Sequence, residues 1–149
     1  PAKFDLKYVD SNGVEQTPVV LHRAILGSLD RFMAYMIEET KGKFSVWLAP
    51  LQVKVLPVSE KTMDYARQVN QALEDANIRT QLDERSEKIG YKIREARQID
   101  RAPYMLILGA KEAEEGTISV RNRDTDETQT MLLQDFINKV LEEIQTRAH

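Results

Sequence analysis

The chain has 149 residues, with 24 acidic and 21 basic side chains and a formal net charge of −3. It is therefore not a strongly basic protein, so any contact with nucleic acid must come from a local basic patch. There are no cysteines, which excludes disulfides and thiolate metal sites, and the two histidines, His22 and His149, cannot form a metal site by themselves.

The hydropathy of the sequence further limits the classes of protein to which the chain can belong. No apolar run approaches the roughly 20 residues that a membrane-spanning helix needs. The first residues lack the apolar segment of a signal peptide, so we expect a soluble, cytoplasmic protein. The chain begins with proline and not methionine, which indicates a fragment or a processed chain.

The first predicted elements are a hairpin and a helix. Residues 4–9 alternate between apolar and polar, residues 10–13 (Asp-Ser-Asn-Gly) form a turn signal, and residues 14–21 return as a strand. Ser28 is the expected N-cap of an amphipathic helix that ends at Gly42 with basic neighbours. The following FSVWLAP segment is predicted to be a linker that packs against the protein.

The remaining residues predict an α/β domain. The expected order is a strand at 51–56, a helix capped by Ser59, a strand at 78–82, a helix from Ser86 to about Ile99, and a strand at 103–108. An acidic turn at 109–116, a hairpin over 117–131 and a final helix follow. Alternating strands and helices build parallel pairs and the hairpin adds antiparallel ones, so we predict a mixed, mostly parallel sheet of about five strands with helices on both faces.

Residues 27–32, Gly-Ser-Leu-Asp-Arg-Phe, resemble motif 3 of class II aminoacyl-tRNA synthetases. The longer segment HRAILGSLDRF is similar to the corresponding sequence of threonyl-tRNA synthetases, and the resemblance continues through WLAP, VLPVS, DERSEKIGYKIREA, PYMLILG and ISVRNR. It implies that residues 1–45 are the C-terminal piece of a catalytic domain and residues 46–149 an α/β anticodon-binding domain. The parent protein is then expected to be a homodimeric threonine–tRNA ligase that uses ATP to charge tRNA with threonine.

The resemblance also assigns ligands in the first part of the chain. Arg31 and Ser28 are expected at the ATP site, and His22 is expected to bind zinc in the parent enzyme. From the residues alone, Arg31 is more simply a solvated helix charge, Ser28 an N-cap and His22 a structural or surface histidine. The other two zinc ligands, a cysteine and a histidine, are expected upstream, so this chain by itself is predicted to bind neither zinc nor ATP and to be inactive.

The second part of the chain carries a local basic excess. Around the helix predicted from Ser86 lie Arg85, Lys88, Lys92, Arg94, Arg97 and Arg101, against fewer acids. Such an excess is typical of a surface that follows a phosphate backbone, although a charged helix face is more often simply solvated. Strand alternation predicts that Arg121 and Arg123 point outward. The resemblance places anticodon contacts at Arg85, Ser86, Glu87, Lys88, Glu112, Arg121 and Arg123.

One position departs from the family pattern: many relatives have asparagine where Ser86 stands, and serine offers fewer groups for reading a base edge.

An alternative interpretation is a non-catalytic module of the same fold that binds nucleic acid or protein, as in polymerase accessory subunits. A prolyl-type enzyme is disfavoured by His22 and by the WLAP and VLPVS wording. Cysteine and histidine zinc ligands upstream in the parent protein would distinguish a threonyl-tRNA synthetase from the accessory module and from the prolyl-type enzyme.

Overall fold

The computed structural model describes residues 1–148, which form two units. The first unit is Pro1–Tyr35 and the second begins at Met36. The helices and strands, in chain order, are β1 (Tyr8–Val9), β2 (Glu15–Gln16), α1 (Leu29–Thr40), β3 (Val53–Pro57), α2 (Met63–Asp75), β4 (Thr80–Leu82), α3 (Ile89–Gln98), β5 (Tyr104–Leu108), α4 (Ala110–Glu115), β6 (Thr117–Asn122), β7 (Thr128–Leu132) and α5 (Leu133–Thr146). None of the helices within residues 1–148 combines the length and apolar character needed to cross a membrane.

The first unit contains the predicted hairpin in a shortened form. β1 and β2 pair antiparallel across a turn in which the Asp10 carboxylate accepts hydrogen bonds from the backbone amides of Asn12 and Val14, at 2.8 and 3.0 Å. These bonds fix the turn, but a two-stranded ribbon is marginal without a third strand. The pairing therefore covers two residues in each strand and does not extend over residues 4–9 and 14–21.

Helix α1 begins and ends where the sequence predicts. The hydroxyl of Ser28 accepts a hydrogen bond from the backbone amide of Arg31 at 3.3 Å, which satisfies one of the free amides of the first turn. At the other end, Gly42 has a φ of +70°, and its amide donates to the carbonyl of Ile37 at 2.8 Å. Glycine reaches this left-handed conformation without strain and so ends the helix.

The second unit is built on a five-stranded sheet in the order β4-β3-β5-β6-β7. β3 pairs parallel with β4 and β5, whereas β6 pairs antiparallel with β5 and β7. The predicted mixed sheet of about five strands is therefore confirmed, with the parallel and antiparallel pairings evenly divided. The crossover helices α2 and α3 account for the parallel pairs, and the short connection between β6 and β7 accounts for the antiparallel edge.

Helices cover both faces of this sheet, as predicted. α2 and α5 cover one face, where the rings of Tyr104 and Phe136 meet edge to face with centroids 5.4 Å apart. α3 covers the other face through Ala96, which packs with Leu56 and Met105. Burial of one large apolar side chain is worth about 1.5–3 kcal/mol, so these two layers hold the domain together.

The segment from residue 44 to 52 packs against the sheet domain, as its composition predicts. Val46 and Ala49 are buried, and the buried side chain of Gln52 donates to the carbonyl of Val46 at 2.8 Å. The Gln52 side-chain oxygen accepts the backbone amide of Arg79 at 2.8 Å. One amide side chain therefore connects this segment to the start of β4.

The acidic turn predicted at residues 109–116 is wrong, because most of this stretch forms helix α4. The Glu112 carboxylate accepts a hydrogen bond from the backbone amide of Gly109 at 2.9 Å, which is the glutamate half of a capping box. Gly116, with a φ of +66°, ends the helix. A helix of only six residues can form here because both of its ends are capped.

The predicted cap at Ser86 is also wrong. α3 begins three residues later, at Ile89, and no side chain caps its first turn. Residues 83–88 form a loop instead, because hydrogen bonds between the side chains of Arg85 and Asp83 hold the chain outside the helix.

Candidate nucleic-acid interface

The loop between β4 and α3 carries four of the predicted RNA contacts, all of them exposed: Arg85, Ser86, Glu87 and Lys88. The guanidinium of Arg85 donates to both carboxylate oxygens of Asp83, at 2.9 and 2.7 Å, and also to the carboxylate of Glu95 on α3. Two acids therefore orient Arg85, and both accept from its Nη2 atom. The side chains of residues 86–88 extend from a loop whose base is fixed.

The electrostatics of this loop follow from the same contacts. The hydrogen bond from Arg85 holds the pKa of Asp83 below its usual value, and the charge of Lys92 adds to this effect. Asp83 is almost completely buried and stays ionised at neutral pH. It neutralises part of the charge of Arg85, so Lys88 is the cation of this loop with the least internal compensation.

Lys92 has a structural role that its sequence position does not reveal. Only 3% of this residue is exposed, and its ammonium donates to the carbonyls of Asp83 and Pro57 at 3.1 and 3.4 Å. A buried cation is tolerated when carbonyl oxygens and a nearby carboxylate replace its water. Lys92 thereby joins α3 to the ends of β3 and β4.

Two clefts open beside this loop. The smaller, of 230 Å³, lies between residues 84–88 and the residues that follow β3, including Val58, Ser59 and Met63. The larger, of 510 Å³, has mixed charge: Lys54, Arg85, Asp83, Glu84, Glu95 and Asp100 line it. The smaller cleft combines apolar surface with the exposed polar groups of the loop, which is what an unstacked base requires.

Arg121 lies on β6, on the same face of the sheet as α3. Its guanidinium donates to the carboxylate of Asp126, with N–O distances of 2.9 and 2.7 Å, and the same carboxylate pairs with Arg97 of α3 at 3.1 Å. These pairs hold the pKa of Asp126 below its usual value, the hydrogen bond from Arg121 being the largest cause. Helix α3 thus connects the loop of residues 83–88, called the Arg85 loop below, at its first end with Arg121 at its other end.

The prediction that Arg123 points outward is wrong. It is 4% exposed, and its guanidinium donates to the carbonyls of Arg101 and Phe44, at 2.7 and 3.2 Å. β6 ends at Asn122, so strand alternation no longer applies at the next residue. The guanidinium also pairs with the neighbouring carboxylate of Asp124 at 2.7 Å. Any role of Arg123 in binding RNA stays a prediction, and its contacts in the structure are structural.

Glu112 uses both carboxylate oxygens within the protein. One oxygen accepts the amide of Gly109, and the other accepts the hydroxyl of Ser119 at 2.8 Å. Burial raises its pKa, but these hydrogen bonds together outweigh the burial, so the pKa is lowered. Glu112 therefore joins α4 to the centre of β6. Its predicted contact with an anticodon base is not tested by these distances.

The residues predicted for the catalytic domain lie in the first unit. Ser28 caps α1, Arg31 is exposed in the first turn of that helix, and His22 is exposed in an irregular segment. Within residues 1–148, no three side chains of the metal-binding types come together. The zinc role of His22 in a longer protein, and the absence of zinc from this chain alone, both stay predictions.

Three acids that organise the site were not predicted from the sequence. Asp83, Glu95 and Asp126 each pair with an arginine that was predicted to contact RNA. The spacing of Asp83 and Arg85, two residues apart after a short strand, was the only available signal. The other two pairs, Arg85 with Glu95 and Arg121 with Asp126, join residues ten and five positions apart. They form because the start of α3 and the β6–β7 hairpin bring these side chains together.

Three comparisons relate the chain to known proteins. A family model described as "Anticodon binding domain" matches residues 52–143. The threonine–tRNA ligase of Caldanaerobacter subterraneus subsp. tengcongensis is 49% identical over 99% of this chain, and that of Syntrophomonas wolfei is 50% identical over 99%. The crystal structure of the RNA-binding domain of threonyl-tRNA synthetase from Cryptosporidium parvum superposes with a TM-score of 0.80 and 36% identity over 95% of this chain. The resemblance inferred from the sequence is confirmed.

These relatives are much longer than the chain. The matched region is 23% of each of the two ligases and 36% of the crystallised chain. The chain therefore spans about a quarter of the length of the curated relatives that it matches.

Proposed function

The chain belongs to the anticodon-binding domain family, and from this we propose that it binds the anticodon loop of a threonine-specific tRNA as the C-terminal portion of a threonine–tRNA ligase. In this proposal residues 46–149 form the anticodon-binding domain and residues 1–45 the end of the catalytic domain. The relatives that support it are named threonine–tRNA ligases and match almost the whole chain.

The observation that carries the proposal is the arrangement along α3. An exposed polar loop lies at the N-terminal end of this helix, and ion pairs at its C-terminal end lead through Asp126 to Arg121. Single-stranded loops are recognised by polar groups on base edges and by guanidinium planes on which bases stack. Both kinds of group occur here on one face of the sheet.

The predicted residues take different parts in this proposal. Ser86, Glu87 and Lys88 supply donors and acceptors for base edges and phosphates, because their side chains are exposed. Arg85 and Arg121 supply guanidinium planes, and each of them pairs with an acid in the free protein. Glu112 and Arg123 act mainly by holding α4 and the end of β6 in position, so that their loss disturbs binding indirectly.

The proposal extends to the whole parent protein. ATP-dependent charging of tRNA with threonine is expected there, with Arg31 and Ser28 at the nucleotide and His22 as one of three zinc ligands. A cytoplasmic homodimer is the expected state of that protein. The support is the similarity to threonine–tRNA ligases over the part present here.

A matched pair of variants tests the binding role. Lys88→Gln removes one exposed cation from the proposed contact, and Lys3→Gln removes one exposed cation elsewhere. In a titration with threonine tRNA we expect Lys88→Gln to weaken binding several-fold and to reduce the slope of log K against log salt by about 0.7, the value for one phosphate on a single strand. Identical curves for the two variants would contradict the proposed contact.

A further inference from the structure

A second basic site lies in the same unit, at the opposite end of α3 from the Arg85 loop. It is a pocket of 330 Å³ whose lining consists of Lys41, Lys43, Arg97, Gln98, Arg101 and Arg123. Five of these six side chains are cationic, although the chain as a whole carries a net charge of −3. A volume of this size is at the lower end of the range of small-ligand sites, about 300–1,000 Å³.

Two carboxylates lie near this pocket, and they do not cancel its charge. Asp124 pairs with Arg123, and Asp126 is shared between Arg97 and Arg121. Five cations against two carboxylates leave an excess of three positive charges. Within residues 1–148, Lys41, Lys43 and Arg101 form no ion pair with a carboxylate.

The wall of the pocket is held by hydrogen bonds. Buried Arg123 donates to the carbonyls of Arg101 and Phe44, and Arg101 donates to the carbonyl of Lys41. The residue that follows the end of α1 is therefore linked to the residues that follow α3. The cations that remain for a ligand, Lys43 and Lys41 above all, extend from this fixed wall into solvent.

We propose that this pocket binds a phosphate of the tRNA backbone outside the anticodon, as a second anchor for the RNA. The inference rests on the proposed function and extends it. Lysine binds phosphate as a point charge and arginine binds it with its planar fork, and both are present. The ion pairs from Arg97 through Asp126 to Arg121 connect the pocket with the proposed anticodon surface.

Distance separates the two sites. α3 has ten residues and a rise of about 1.5 Å for each residue, so its ends lie about 15 Å apart. The Arg85 loop and the pocket therefore contact different nucleotides. Because a phosphate contact carries no sequence information, the pocket contributes affinity and salt dependence but does not distinguish one anticodon from another.

The test uses the 149-residue chain and a double variant, Lys41→Gln with Lys43→Gln. The control is Lys3→Gln with Lys139→Gln, which changes the net charge by the same amount at exposed positions outside the pocket. Both proteins are titrated with threonine tRNA and with the same tRNA carrying an altered anticodon, over a series of salt concentrations. Thermal melting establishes that both variants are folded.

We expect the pocket variant to lose affinity for both tRNAs by the same factor, and its salt slope to fall by about 0.7 to 1.4, equivalent to one or two phosphates. Titration curves that coincide with those of the control would contradict the proposed binding of phosphate in the pocket. A loss confined to the correct anticodon would also overturn it, because the pocket would then be reading sequence. Failure of the proposed function looks different: the unmodified chain would bind both tRNAs equally, whatever the pocket variant does.

Discussion

The guanidinium of Arg85 donates hydrogen bonds to both carboxylate oxygens of Asp83, at 2.9 and 2.7 Å. Asp83 is buried at the end of β4, whereas Arg85 is about half exposed. Because the buried carboxylate accepts two hydrogen bonds from the planar guanidinium, the exposed side of the guanidinium has a fixed orientation. This pair therefore determines the shape of the loop that presents residues 86–88 to a ligand.

Asp83→Asn should destabilise the protein in a pH-dependent manner. The pKa of Asp83 is lowered in the folded state, so its contribution to stability is present above the unfolded pKa and is lost as the pH falls through the folded pKa. At pH 7 we expect the free energy of unfolding to fall by about 1–2 kcal/mol, less than for a fully buried pair because Arg85 is partly exposed. Urea unfolding of both proteins measures this difference.

The difference in unfolding free energy between the wild type and Asp83→Asn should shrink as the pH falls below about 4, because Asp83 is then protonated in the unfolded chain before it is protonated in the folded protein. The exposed Asp64→Asn serves as the control and should change stability little at any pH. A difference that stays constant down to acidic pH would mean that the carboxylate charge is not what stabilises the loop.

Asp126→Asn should strengthen tRNA binding, whereas Arg121→Gln should weaken it. Asp126 pairs with Arg121 and Arg97, so neutralising it frees two cations for phosphates. Asparagine also tolerates the left-handed conformation that Asp126 adopts, with a φ of +63°. The measurement is the dissociation constant of threonine tRNA at several salt concentrations. If both variants weakened binding, Asp126 would be positioning Arg121 for RNA instead of competing with it.

Gln52→Leu should lower stability without changing any charge. The buried amide joins the carbonyl of Val46 and the amide of Arg79, both at 2.8 Å. Leucine leaves two backbone groups unpaired, at a cost of about 1–3 kcal/mol for each one that stays buried. Chemical unfolding reports the loss, and exposed Gln71→Leu is the control. Equal stability of the two variants would show that water replaces the lost partners.

Glu112→Ala and Glu112→Gln separate the structural role of this residue from its predicted contact with RNA. Alanine removes the acceptor for the amide of Gly109, and we expect a loss of about 1 kcal/mol, as for other helix caps. Glutamine keeps one acceptor and should retain most of the stability. If Glu112 reads a base, Glu112→Gln should reduce the discrimination between anticodons while the protein remains folded. Unchanged discrimination in this variant would restrict Glu112 to capping α4.

The fold followed from local signals to a large extent. Alternation and helical spacing predicted the five strands and four of the five helices, because each element buries one stripe of apolar residues. The fifth, α4, was taken for a turn because it is short and its cap is a glutamate that returns to Gly109. The start of α3 was misplaced because the competing contact, between Arg85 and Asp83, lies outside the helix.

The site was less predictable than the fold. The motifs identified which loop and which strand carry charged groups, but not which charges pair with one another. Arg123 looks like an exposed arginine in a strand, yet its guanidinium is buried against the carbonyls of Arg101 and Phe44. Partners that are 22 and 79 residues away in the chain leave no mark in a local pattern.

The most direct test of the central claim is a salt-series titration of the unmodified chain with threonine tRNA and with the same tRNA carrying an altered anticodon. The account predicts binding that weakens with salt for both, and tighter binding of the correct tRNA at every salt concentration. Equal affinity for the two tRNAs would contradict anticodon recognition by this chain and would leave only a basic surface, as expected of an accessory module.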